Sequence, residues 1–354
     1  MNTQNKYKNK KYTLLDLFSG TGAYSLALES LCKTLAFCDK STISHQVLQK
    51  NFPNIPIFDD ITTLDSTKLA QKGIKKVDII SASFPCQDIS IMNRNGKGLD
   101  GERSGLFYHI IRIANILDSK IIIMENSPNI KNKGIEKLIS FLQQNGYNFE
   151  YDNFNASDLG APHKRNRFYM IAYKKGKKTN HILSSLYHEF ENVKNYWNKK
   201  FLYKKIIENT VENRKDLKKR TFLLGNAVVP QVVQYACFIL SSKILEKPYK
   251  KINRSNKHNY YVFMKIPQNA LIKNKKIPYD IILKKTYYST PLSARCMHCK
   301  IGTKRSMNIL QNQIMYDINI LNYIDKKNKS ISDFIVNPRF LEYMMGFPID
   351  WTCV

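Results

Sequence analysis

Short apolar runs alternate with helical stretches from Tyr12 to Tyr173, and this alternation constrains the fold more than any other feature. YTLLDLF leads into a helix near Ala23 to Leu31, and TLAFCD into a helix through His45 to Asn51. VDIISAS precedes a helix from Ser104 to Leu117, KIIIMEN precedes one from Gly134 to Gln144, and RFYMIAY is a late strand. Strands that alternate with helices predict an α/β fold with a doubly wound, mostly parallel sheet covered on both faces. In such sheets ligands sit beyond the carboxyl ends of the strands. The residues at those ends therefore carry the functional reading.

The remaining chain divides by composition. Residues 1–11 form a polar, basic arm, 12–173 the alternating domain, and 174–220 a stretch in which periodicity weakens and lysines cluster among Tyr, Trp and Phe. A further amphipathic helix, from about Gln231 to Leu245, lies in a return segment, 221–247, and a smaller mixed domain is expected over 248–354. With 354 residues there is room for one large and one small domain. No apolar run approaches the roughly 18 residues of a membrane span, so a soluble chain, expected to be monomeric, follows. Seven cysteines without regular spacing read as a reducing compartment, cytoplasmic or wherever the partner lies, and not as a secreted framework. Only Cys296 and Cys299 form a CxxC, around His298; with no second pair evident, structural packing is expected there and no metal.

Lys and Arg number 56 against 28 Asp and Glu, a formal charge of +28. That field favours a polyanionic partner, nucleic acid first. An AT-rich genome would also enrich lysine, so the charge supports the reading without carrying it.

The first strand ends in DLFSGTGAYS, where Gly20 and Gly22 permit a tight turn and close backbone approach to a ligand. The third glycine of a dinucleotide fingerprint is replaced by Ser25, which suits a nucleoside-like ligand without a pyrophosphate. Asp39, ending the second strand, is placed for ribose hydroxyls, and Asp60, at the next strand end, for an adenine amino group. Taken singly, the glycine pair also reads as a turn and the two aspartates as solvated loop residues. SFPCQDIS then puts Cys86 behind Pro85 at the end of the fourth strand, and Glu125 ends the next strand in MENSP. A thiol and a carboxyl on adjacent strand ends form a covalent-catalysis pair. No histidine is near in sequence to activate the thiol, so the electrophile must be one that the carboxyl group itself activates. A pyrimidine fits: hydrogen bonding at ring nitrogen 3 opens carbon 6 to attack.

DLFSGTG, FPCQDIS, GERSGLF, MENSPNI, DLGAPHKRNRFYMIA and GNAVVP, taken in that order, resemble the DNA cytosine-5 methyltransferase family and cover about Leu14 to Gln231. The resemblance implies a class I, Rossmann-like S-adenosylmethionine-dependent fold acting on double-stranded DNA, as in restriction-modification systems. It implies that Phe18, Gly20, Gly22, Asp39, Asp60, Ile61 and Leu106 line S-adenosyl-L-methionine, with Asn226 and Ala227 closing the site. It further implies that Pro85 positions a loop from which Cys86 attacks carbon 6 of a flipped cytosine, that Glu125 holds the exocyclic amine and ring nitrogen 3, and that Arg165 and Arg167 help fix the base and the Cys86 loop. Asp39 stands where Glu is usual, Ser127 where Val is, and His163 with Lys164 where Gln and Arg are. The layout departs further, because the family's recognition domain and another motif usually precede the GN block. NPRFLEYMMGFPID resembles that displaced motif, so recognition is expected to be shared between 174–220 and the C-terminal region, with Met344, Met345 and Phe347 in a core. An RNA cytosine methyltransferase on the same scaffold and a catalytically inactive DNA-binding relative are the alternatives; the second typically loses the Cys or the Glu, and both are present here.

Overall fold

The computed structural model describes residues 11–85, 104–193, 197, 207–209, 214–252, 334–336 and 338–354. Cys86 and the cluster around Cys296 and Cys299 lie outside the described residues, as does the arm before Lys11. The chain forms two compact units, one of residues 1–155, 166–194 and 230–251, the other of 156–165, 195–229 and 252–354.

The first unit is built on a seven-stranded sheet: β1 (Tyr12–Leu17), β2 (Cys32–Cys38), β3 (Ile57–Phe58), β4 (Ile79–Ala82), β5 (Ile121–Asn126), β6 (Asn148–Asn155) and β7 (Asn166–Tyr173). Their order is β3-β2-β1-β4-β5-β7-β6. The first five run parallel, and β7 is antiparallel to both β5 and β6. The central strands are apolar runs buried on both faces, as in IISA and IIIMEN, and such continuous burial is what a parallel sheet under two helical layers requires.

Helices α1 (Ala23–Ala27), α2 (Thr42–Asn51), α3 (Ser66–Gln71), α4 (Phe107–Ile116), α5 (Ile135–Gln144), α6 (Lys177–Phe190) and α8 (Pro230–Ile244) complete the unit, whereas α7 (Arg214–Asn226) belongs to the other. One face of the sheet buries Leu15, Leu17, Ile80, Ala82, Ile122, Met124 and Met170 against α4 and α5. The other is covered by α8, which packs on β6 and β7, with α1 and α6 packed in turn against α8. Two elements escape the sequence pattern. β6, NFEYDNFN, is a half-exposed edge strand whose polar residues hide any apolar run. α6 lies in the stretch where periodicity weakens, yet Thr179, Ile182, Leu183, Leu186, Tyr187 and Phe190 make a buried stripe at helical spacing, placing residues 177–190 in the first unit.

In the second unit, β8 (Ile207–Asn209) pairs antiparallel with β9 (Phe334–Val336), and α7 (Arg214–Asn226) packs on α9 (Pro338–Met344). The expected return segment 221–247 is thus divided: α7 goes with the second unit and the first resumes at Pro230. By length and composition Lys219–Ile244 would suffice to cross a membrane, contrary to the expectation that no apolar run comes near that length; 78% of its apolar window is buried inside the protein, as in a core helix.

Candidate active site

After β1 the chain turns through Phe18, Gly20 and Gly22, with φ of 54°, 52° and 74°. At Gly22 an added Cβ would lie 2.6 Å from the Phe52 ring and 3.1 Å from Leu48, so both the backbone and the packing of α2 demand glycine. At Gly20 a Cβ would meet nothing nearer than the Phe18 carbonyl oxygen at 4.0 Å, so space opens beside the backbone there. Phe18 packs against the apolar core that bounds that loop.

Asp39 ties this turn to the end of β2. Its Oδ2 accepts from the Gly20 N–H and its Oδ1 from the Ser41 N–H, both at 2.8 Å. Each oxygen is left with further acceptor capacity, because a carboxylate offers about four lone-pair directions. At the next strand end, Asp60 accepts from the Thr62 N–H and hydroxyl at 2.9 and 2.8 Å and from Lys40 at 3.0 Å. Those bonds, led by Thr62, pull the Asp60 carboxyl down to about 2 and keep it ionised. Ile61 is buried, and Leu106, at the end of the turn Ser104–Leu106, packs on the same core.

Sequence reasoning missed the residue that pins this loop. From α4, Arg112 donates to the carbonyls of Leu64 and Ile61, each at 2.7 Å. A single charge within the apolar stretch FYHIIRIANI was the available signal. Cys38, by contrast, is no nucleophile, since burial pushes its thiol up to about 12.

Beneath the turn, Asp16 is fully buried. Its carboxyl accepts from Ser81 at 2.8 Å and Ser25 at 3.1 Å, and Thr34 donates to Ser25 at 2.9 Å. Burial raises the Asp16 pKa to about 7, against the lowering effect of the serine bonds.

Glu125, 7% exposed, sits near the end of β5. Arg167 Nε lies 3.2 Å from its Oε1, and the Ser83 hydroxyl donates to its Oε2 at 2.9 Å. The neighbouring Asn126 side chain donates to the Phe84 carbonyl at 3.1 Å. Glu125 and Asn126 together therefore grip Ser83–Phe84, the segment that leads through Pro85 to Cys86. Ser83 was inside the quoted motif but unassigned, because only the folded chain shows which carboxyl it meets.

The two arginines of HKRNR do different things. Arg167, on β7, pairs with Glu125, whereas Arg165 belongs to the second unit, has φ 27° and is 4% exposed. Its guanidinium donates to the Gly225 carbonyl at 3.2 and 3.3 Å and to that of Ala227, so it clasps the GN block. Asn226 is exposed at the end of α7 and Ala227 is buried. In the same unit, Arg220 donates to Glu342 at 2.9 Å, and Thr352 and Asp350 donate backbone N–H groups to the two Glu342 oxygens at 2.9 and 2.7 Å. His163 bonds the Met344 carbonyl at 2.8 Å, and Met344, Met345 and Phe347 are fully buried.

The model of the C-5 cytosine-specific DNA methylase family matches residues 12–353. The chain belongs to this family. Among curated relatives, Type II methyltransferase M.HhaI of Haemophilus parahaemolyticus is 33% identical over 175 residues, 47% of this chain and 51% of the relative. Type II methyltransferase M.CviJI of Paramecium bursaria Chlorella virus IL3A is 23% identical over 345 residues, covering 86% and 90%. The chain thus spans about half the length of M.HhaI and nearly all of M.CviJI. A crystal structure of a Spodoptera frugiperda DNMT2 mutant overlaps 46% of this chain and 50% of its own at 27% identity, with a TM-score of 0.39. The family's class I methyltransferase fold agrees with the mostly parallel sheet, its seventh strand reversed.

Proposed function

We propose that this C-5 methylase transfers a methyl group from S-adenosyl-L-methionine to carbon 5 of a cytosine flipped out of duplex DNA. The observation that carries the proposal is Glu125, with one oxygen paired to Arg167 and the other bonded to Ser83, on the strand beside the segment leading to Cys86.

The cradle suits the cofactor. Gly20 leaves open space beside its backbone, Asp39 keeps acceptor capacity for ribose hydroxyls, and Asp60 stays ionised to accept an adenine amino group. When bound, S-adenosylmethionine supplies the electrophilic methyl group that carbon 5 accepts. The protein's own task is to make carbon 5 a nucleophile. Cys86 bonds to carbon 6 while Glu125 holds ring nitrogen 3 and the exocyclic amine, so electron density moves to carbon 5. Loss of the carbon 5 proton and elimination of the thiolate then release 5-methylcytosine. Base flipping follows because carbon 6 is out of reach in a stacked duplex. The excess of basic residues supplies phosphate contacts.

Bisulfite sequencing of DNA from cells that express the protein tests the reading, with methylation at a defined context expected. The purified enzyme should form a covalent adduct with duplex DNA carrying 5-fluorocytosine, and Cys86→Ala should form none. Methylation of structured RNA without methylation of duplex DNA would overturn the DNA assignment.

A further inference from the structure

Tyr24 is an unexplained polar group close to the candidate active site. It lies in α1, directly after the glycine turn, and is 3% exposed. Its hydroxyl makes no well-aligned hydrogen bond within the described protein, although the Ser83 hydroxyl bears on it. A buried hydroxyl without a well-made bond is costly, and phenylalanine would avoid that cost in the same space. The hydroxyl therefore calls for an explanation that packing does not give.

Its surroundings supply one. Asp16 and Ser81 are opposed across the β1–β4 pair, and Asp16 bonds Ser25 of α1, so this face of the sheet lies under α1. On the same face of β5, Glu125 stands two residues beyond Ile123, the partner of Ser81. The groups that bear on the Tyr24 phenol are Tyr169, Glu125, Ser83 and Cys237. Tyr169 is opposite Glu125 in the β5–β7 register. Of the four, Ser83 has a hydroxyl with acceptor capacity to spare, since its own proton is committed to Glu125 Oε2 at 2.9 Å.

We infer that Tyr24 is a positioning residue for Glu125 and acts through Ser83. The Tyr24 O–H donates to Ser83 Oγ as the site tightens around substrate, and this bond keeps the Ser83 proton directed at Glu125. The carboxyl group is then held in one orientation toward the cytosine edge while charge moves through the ring. Burial raises the Tyr24 pKa far above its ordinary value, so the phenol serves only as a neutral donor and not as a base. Tyr24 touches neither base nor cofactor in this scheme.

The inference rests on the cytosine-methylation reading, and its test separates the two. Methyl transfer to duplex DNA is measured under single-turnover and steady-state conditions for the wild type, Tyr24→Phe, Ser83→Ala, Ser83→Thr and the Tyr24→Phe, Ser83→Ala double variant. Tyr24→Phe is expected to lower kcat about 3- to 10-fold, the worth of one hydrogen bond, with both KM values and the melting temperature nearly unchanged. It should add no further loss in the Ser83→Ala background, and Ser83→Thr, which keeps the hydroxyl, should restore the Tyr24 effect. Wild-type turnover by Tyr24→Phe, or a loss that adds in full to that of Ser83→Ala, would overturn the relay while the parent reading stands. A wild-type protein that methylates no cytosine would remove both.

Discussion

Arg167 Nε stands 3.2 Å from Glu125 Oε1 across the antiparallel β5–β7 pair, while Ser83 holds the other carboxyl oxygen at 2.9 Å. The candidate catalytic carboxyl is thus fixed from the strand on either side of it. A group held in this way loses little orientation freedom when a base arrives. Glu125→Gln is expected to slow the chemical step by roughly 10²- to 10⁴-fold while DNA affinity changes little. Arg167→Ala, which removes a charge-assisted bond, should cost about tenfold to a hundredfold. Single-turnover rates set beside equilibrium binding of the same duplex check both, and equal losses in rate and affinity would speak against the catalytic assignment.

The two glycines of the turn should respond differently to alanine. Gly22→Ala drives a Cβ to 2.6 Å from the Phe52 ring at φ 74°, so both clash and backbone strain apply. Gly20→Ala meets open space and adds only the cost of a left-handed backbone, about 1–2 kcal/mol. Thermal unfolding should show Gly22→Ala as clearly the less stable variant. Cofactor affinity should fall in both, because Gly20 faces the cradle.

Asp16 makes stability depend on pH. Its pKa rises from 3.8 to about 7 in the folded state, so the folded chain binds this proton more tightly than the unfolded chain. The contribution is complete below about pH 4 and is lost as pH rises toward 7, at roughly 1.4 kcal/mol per pH unit in between. Asp16→Asn should flatten that slope. Urea unfolding of both proteins across this window measures the difference, and parallel profiles would exclude Asp16 as its source.

Glu342 is fully buried and Arg220 nearly so, and the pair joins α9 to α7. Glu342→Gln leaves a buried guanidinium opposite a neutral amide and should destabilise the second unit by about 3–5 kcal/mol. Replacing both residues with apolar ones of similar volume should cost much less, and a double-mutant cycle by denaturant unfolding reads the coupling. Truncation after Lys247 removes Glu342, Asp350 and Thr352 together and should abolish methylation. Cofactor binding should survive in weakened form, since the residues from Phe18 to Leu106 lie in the first unit. Unaltered methylation context in the truncated protein would place recognition wholly upstream.

Much of this protein was legible in one dimension. Strand and helix alternation is a local property, because period and burial are written into successive residues, and β1, β4, β5 and β7 stand where the apolar runs are. The order of six short motifs was likewise sufficient for the resemblance, and the predicted strand ends for singling out Cys86, Glu125, Asp39 and Asp60 as candidates. β6 and α6 were lost because a half-exposed edge carries a weak periodic signal and because the α6 stripe is embedded in a lysine-rich stretch that masks it. What only the tertiary structure decided are the partnerships. Ser83 with Glu125 spans 42 residues, Arg112 with Ile61 spans 51, and Arg220 with Glu342 spans 122. Residue type states what a side chain can bond, whereas these choices depend on which groups burial brings within about 3 Å after the chain has closed.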